Sequence, residues 1–254
     1  MARNGKSWHS VAVREDHFQG LIASGYDLDT AIFDPAVVDP AVEFLADLAG
    51  EGSALELGIG TGRIALPLSQ RGVPVHGIDL SPDMVAQLQA KPGAQDIPVT
   101  IGDFATTTVD GTFRLAYLVY NTIGNLTSQD QQVECFCNVA GHLEPGGCFV
   151  IELEVPQIQR LPPGERFRPF TVSPPHLGID ELDVATQRGV SHHYWVKDGR
   201  GGVFSMPFRF VWPSELDLMA RIAGMRLRER WGSWTRTPFT SNSRSHISVW
   251  EKTP

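Results

Sequence analysis

The segment Glu56-Leu57-Gly58-Ile59-Gly60-Thr61-Gly62-Arg63 carries the densest chemistry in the sequence. Alternate glycines let a backbone turn tightly and let a ligand approach with no Cβ in the way. Two readings compete. A dinucleotide fingerprint is G-x-G-x-x-G, with glycine or alanine last for close helix packing. Counted from Gly58, that last position is Arg63, a large cation. The segment offers instead an acidic residue, one spacer and G-x-G-x-G. A carboxylate there suits an amino group better than a pyrophosphate, which it would repel. Asp79 closes the next apolar run and could take both hydroxyls of a ribose. Gly102-Asp103-Phe104 sets a carboxylate and an aromatic where an adenine could be bound and flanked.

These groups need elements that hold them together. Pro35 suits the first turn of a helix whose apolar residues Val37, Val38, Val42, Phe44, Leu45 and Leu48 recur at helical spacing up to Gly50. Ala54–Leu57 reads as a strand, and a helix is expected from about Gly62 to Gln70. Val73–Asp79 is a second strand. Ser81 then caps a helix with Pro82 at its first position. Val99–Ile101 and Leu115–Val119 are further strands. Ser128–His142 is amphipathic, Glu144–Gly147 is a turn and Cys148–Leu153 is a fifth strand. Strands alternating with helices mean βαβ units and a parallel sheet covered on both faces. Such sheets bind ligands at the carboxyl ends of their strands.

After Val155 the rhythm breaks. Residues 156–180 carry six prolines. Val190–Val196 and Val203–Phe210 flank Lys197-Asp198-Gly199-Arg200-Gly201-Gly202, a hairpin signature. A helix from Pro213 to about Ala223 follows, then strands near Met225–Trp231 and His246–Trp250. The chain divides into a core with an N-terminal cover segment (1–155), a lid-like insert (156–211) and a return to the core (212–254).

At this point the chain resembles the class I S-adenosylmethionine-dependent methyltransferases. The resemblance covers roughly residues 50–155. It rests on Glu56–Gly62, Gly77-Ile78-Asp79-Leu80-Ser81, Gly102-Asp103-Phe104 and Leu143-Glu144-Pro145-Gly146-Gly147, in order and in register. It implies a doubly wound, Rossmann-like, mostly parallel seven-stranded sheet with a C-terminal antiparallel hairpin. The insert would form an antiparallel lid after the fifth strand. S-adenosylmethionine is the implied cofactor. By the resemblance, Glu56 orients the turn and the cofactor's amino group, and Gly58, Gly60 and Gly62 pack under the methionyl part. Asp79 takes the ribose hydroxyls, and Leu80 lines the adenine. Asp103 holds the adenine amino group, and Phe104 donates its backbone amide. Asn121 helps frame the sulfonium. Tyr26, Met84 and Gly102 complete the implied cofactor set.

Composition bounds the partners. The 254 residues hold 21 Lys and Arg against 29 Asp and Glu, a net charge of −8. That balance weighs against nucleic acid, whose phosphates call for excess base. Asn121-Thr122-Ile123-Gly124 also departs from the motif of nucleic-acid amino-methyltransferases. Cys135, Cys137 and Cys148 read as small buried hydrophobes in a reducing compartment. The first nine residues lack an apolar stretch behind their basic ones, and no run approaches a membrane span. A cytoplasmic enzyme without membrane contact is expected. The oligomeric state stays open, with a homodimer as one option.

A small molecule enclosed by the lid is the expected substrate, methylated on nitrogen or oxygen. The insert is loosely similar to that of small-molecule N-methyltransferases, amino-sugar enzymes included. No compact Asp/His cluster points to a metal. Tyr120 and Asn121 end the fourth strand beside the methyl group by analogy. His192 and His193 alternate on a lid strand, so at most one faces the cavity. Arg166, Arg168 and Arg209 are candidates for an anionic substrate. Trp195, Trp212, Trp231 and Trp234 could form an aromatic wall. The alternatives are a relative with other chemistry, such as a cyclase, a nicotinamide oxidoreductase, or a non-catalytic binding module.

Overall fold

The computed structural model describes residues 16–27, 30–197 and 200–253. The first fifteen residues of the expected cover segment, and Asp198-Gly199 of the expected hairpin connection, lie outside them. The chain folds as α1 (Leu21–Tyr26), α2 (Pro35–Ala49), β1 (Ala54–Leu57), α3 (Ala65–Gln70), β2 (Val75–Asp79), α4 (Pro82–Gln89), β3 (Val99–Ile101) and β4 (Phe113–Leu118). Then come α5 (Gln129–His142), β5 (Leu143–Glu154), β6 (Phe167–Ser173), β7 (His176–Asp183), β8 (Arg188–Lys197), β9 (Arg200–Arg209), α6 (Pro213–Ile222), β10 (Met225–Trp231) and β11 (Ser245–Lys252).

Seven strands form one sheet in the order β10-β11-β5-β4-β1-β2-β3. β1 to β5 run parallel, and β11 runs antiparallel to both β5 and β10. The strand order reverses at β1, which pairs with β2 on one side and β4 on the other. That reversal opens a crevice at the carboxyl ends of the strands. Strand residues alternate between two apolar layers. Leu115 and Tyr117 join Val42, Leu45 and Leu68 on one face, and Ala116 and Leu118 join Phe136, Leu216 and Met219 on the other. Burial on both faces is why these strands read as short continuous apolar runs.

Side chains fix the helix starts. Asp34 accepts the Ala36 amide ahead of Pro35, and Ser81 accepts the Met84 amide ahead of Pro82. Ser128 and Gln131 form a capping box on α5. The four remaining strands form a separate antiparallel sheet, β6-β7-β8-β9.

Several sequence expectations are corrected. α3 begins at Ala65 rather than Gly62, because Gly58, Gly60 and Gly62 all have positive φ. Glu144–Gly147 is not a separate turn: it lies within β5, where the register against β4 shifts between Phe113 and Leu115. The proline-rich stretch contains two strands, β6 and β7. Pro169 is tolerated because β6 is an edge strand. Cys135 and Cys148 are buried, but Cys137 is exposed, and all three are free thiols.

Gly62 holds the glycine loop onto α4. Its φ is 79°, and a Cβ there would lie 2.3 Å from Cδ1 of the fully buried Leu88. Gly62→Ala is expected to cost about 2–3 kcal/mol, combining overpacking with left-handed backbone strain. Chemical denaturation of the two proteins checks this.

Candidate active site

A cavity of about 390 Å³ opens at the carboxyl ends of β1, β2 and β4. Glu56, Gly58, Gly60, Asp79, Leu80, Met84, Phe104, Tyr120 and Tyr26 line it, all sequence-selected residues. Gly62, Gly102, Asp103, Asn121, His192 and His193 do not line it.

Glu56 is 3% exposed. Its register partner across to β4 is Tyr117, whose hydroxyl donates to Oε2 at 2.9 Å. Burial pushes the Glu56 carboxyl up to about 8, against the opposing pull of the Tyr117 hydrogen bond and the Arg63 charge. Asp79 ends β2. Its Oδ2 accepts the Gly60 amide at 2.7 Å, and its Oδ1 accepts the Ser81 amide at 2.8 Å. One carboxylate therefore sets both the glycine loop and the start of α4. Burial raises its pKa, with the Ser81 and Gly60 amides opposing. The loop glycines are needed here: a Cβ on Gly58 would sit 2.8 Å from Thr122 Cγ2.

Tyr120 and Asn121 are consecutive non-glycine residues with φ of 56° and 62°. Such backbone is strained and persists where the surroundings over-determine it. Glu152 supplies the constraint: its Oε2 accepts the Tyr120 amide at 3.0 Å and its Oε1 accepts Trp234 Nε1 at 2.9 Å. The turn leaves Tyr120 on the cavity wall, with the Arg63 guanidinium 4.8 Å from its ring centroid. Asn121 turns away. Its side-chain oxygen accepts the Glu154 amide at 2.7 Å, so it ties β4 to β5. Asp103 Oδ1 accepts the Ala105 amide, and Gly102 is held against Thr107.

Neither lid histidine reaches the cavity wall. His192 Nδ1 is 2.8 Å from Ser205 Oγ. His193 stacks on His176 within the accessory sheet, with ring nitrogens 3.0 Å apart. Burial, then the neighbouring imidazoles, lower its pKa. Arg209 is a buried structural cation bonded to Glu215, Gln132 and Gln187, and Arg166 pairs with Glu181. Trp195, Trp212, Trp231 and Trp234 form no wall: none lines the cavity, and Trp231 and Trp234 pack on the core.

Sequence reasoning missed Asp16, His17 and Phe18, which also line the cavity. Ser81 Oγ donates to the Phe18 carbonyl at 2.9 Å, and the Gly20 amide donates to Asp83 at 2.7 Å. Farther on, Thr61 donates to Asp27, which pairs with Lys91. These bonds latch the segment 16–27 over the glycine loop. The residues before α1 have no period, so only the long-range contacts could reveal them. Thr122, Asn125, Thr127, Gln131 and Pro207 were missed for the same reason: they converge from the short 3-10 turn Thr122–Asn125, the approach to and first turn of α5, and the accessory sheet.

Among the described residues, no group of three His, Cys, Asp or Glu side chains could hold a metal ion. No described helix is long and apolar enough to cross a membrane.

The strand order with its antiparallel β11, the glycine loop and the acidic strand ends define a class, the Rossmann-like methyltransferases. A methyltransferase-domain family model matches residues 54–147. The chain is 33% identical to the CcbJ methyltransferase from Streptomyces caelestis, with a TM-score of 0.82, covering 92% of this chain and 96% of that one. It is 28% identical to a cypemycin N-terminal methyltransferase from Streptomyces sp, covering 79% of this chain and 83% of that protein. CalS10, an amino pentose methyltransferase from Micromonospora echinaspora, shares the fold at 20% identity and a TM-score of 0.67, covering 94% and 99% of the two chains. The chain belongs to the S-adenosylmethionine-dependent methyltransferases.

Proposed function

We propose that this methyltransferase transfers the methyl group of S-adenosylmethionine to a nitrogen or oxygen of a small molecule held between the core and the accessory sheet of residues 156–211. The carrying observation is the cavity with two buried carboxylates, Glu56 and Asp79, on the walls of a glycine loop. That donor set fits a cofactor with a cationic amino acid end and a ribose. Glu56 takes the amino group, Asp79 the ribose hydroxyls, and Leu80, Met84 and Phe104 the adenine side. When bound, the cofactor supplies a sulfonium methyl already activated for displacement. What remains for the protein is alignment and exclusion of water. The latched segment 16–27 excludes water from one side. Tyr120, Asn125, Thr127, Gln131 and Pro207 form the remaining wall, where the acceptor would lie.

An amine acceptor is favoured by the name of the relative that acts on the N-terminus of cypemycin. An amine binding as the free base needs no strong protein base. Calorimetric titration with S-adenosylhomocysteine should give saturable binding, and methyl-labelled cofactor should pass label to an amine within a panel of amino sugars, peptide N-termini and phenols. Tight NAD binding with no response to S-adenosylhomocysteine would overturn the reading.

A further inference from the structure

Tyr117 is fully buried in the core, and its hydroxyl points at the cavity-lining Glu56. A buried tyrosine hydroxyl needs a partner, but a neutral acceptor would serve at far lower desolvation cost than an ionised carboxylate. The ionised form of Glu56 is costly here unless a cation comes to it, and without one the group keeps its proton. The groups facing Glu56 from the surrounding elements are Tyr117 on β4, Arg63 and the Ala65 amide before and at the start of α3, and Asp79 on β2. Of these, Arg63 has its guanidinium engaged over the Tyr120 ring, and Asp79 is a like charge.

Resting on the proposed cofactor reading, we propose that Tyr117 is a positioning residue that aims Glu56 at the cofactor's amino group, and that cofactor capture is thereby coupled to release of the Glu56 proton. In the ligand-free protein the carboxyl is protonated over much of the neutral range, since burial holds it near 8. An arriving ammonium group stabilises the carboxylate, so the carboxyl O–H bond breaks and its proton leaves to solvent while the ammonium keeps its own. The Tyr117 hydroxyl donates to the ionised form and so eases that loss. No other bond changes. The sign follows from linkage: a proton released on binding makes affinity rise with pH up to the ligand-free midpoint.

The test is calorimetric titration of the whole chain with S-adenosylhomocysteine at pH 6.5 to 8, in buffers of differing ionisation heat. The wild type should bind roughly fifteenfold more weakly at pH 6.5 than at pH 8 and release close to one proton near pH 7. Glu56→Gln should bind with less than about twofold pH variation and no proton release. Tyr117→Phe should bind more weakly at neutral pH, with its midpoint moved upward and its affinity recovering as pH rises. A tyrosine that served only packing would weaken binding equally at every pH. Without ligand, the infrared difference between wild type and Glu56→Gln should show a carboxylic-acid band at pH 6.5 that is lost by about pH 9. PH-independent wild-type binding without proton release, or an unmoved midpoint in Tyr117→Phe, overturns the proposal. Absence of any wild-type binding heat across the pH range overturns the cofactor reading instead.

Discussion

Arg209→Ala is expected to lower stability by about 3–5 kcal/mol, the cost of breaking a buried ion pair from one side. Arg209 ends β9 and is 4% exposed. Its guanidinium reaches Glu215 on α6 and Gln132 on α5, both at 2.5 Å, and Gln187 at 3.2 Å. One side chain thus joins the accessory sheet to two core helices. Removing it strands Glu215, which also accepts from Gln129 and Gln187. Burial pushes the Glu215 carboxyl up, but the bonds from Gln187, Arg209 and Gln129 prevail and hold it below its ordinary 4.5. A depressed folded value means the joint's contribution is present above pH 4.5 and is lost as pH falls through the folded value. Denaturant titrations of wild type and variant should therefore differ most at neutral pH and converge in acid. An equal loss at every pH would assign the cost to packing alone. Hydrogen exchange should show β8 and β9 opening first in the variant.

Asp79→Ala should act twice. The buried Ser81 amide and the part-buried Gly60 amide each lose an acceptor, which costs about 2–4 kcal/mol of stability in total. Under the proposed function it also removes the ribose acceptor, weakening S-adenosylhomocysteine by about 1.5–3 kcal/mol, roughly 10- to 100-fold. Asp79→Asn separates the two, because one amide keeps an oxygen acceptor while the charge is lost. Asn should recover part of the thermal stability and little of the affinity. Equal affinity in all three proteins would remove Asp79 from the site. The measurements are thermal unfolding without ligand and calorimetry with it.

The glycine-loop side of the cavity was legible because its signals are local. Glu56, Gly58, Gly60 and Asp79 sit at strand ends, where strand, turn and cap residues follow one another in sequence. The Ser81 cap with Pro82, and Pro35 in the first turn of its helix, announced helix starts for the same reason: each acts on only its next few residues. The glycines were individually readable but not their division of labour. Gly58 and Gly60 line the cavity, whereas Gly62 packs under Leu88, a contact made across the loop.

The opposite side of the cavity was not legible, because what lines it depends on distant partners. His192, His193, Arg209 and Asn121 have reactive or polar side chains that their neighbours consume. Arg209 meets Gln132 across 77 positions, and Asn121 meets the Glu154 amide across 33. Asp16, His17 and Phe18 carry no period and no motif, yet hydrogen bonds to Ser81 and Asp83 bring their segment to the cavity. The sequence by itself determined a parallel α/β core, its glycine loop and its acidic strand ends, since periodicity and capping are short-range physics. Only the tertiary structure decided which polar side chains face the cavity. A side chain's free valences depend on what packs against it, and those partners arrive from elsewhere in the chain.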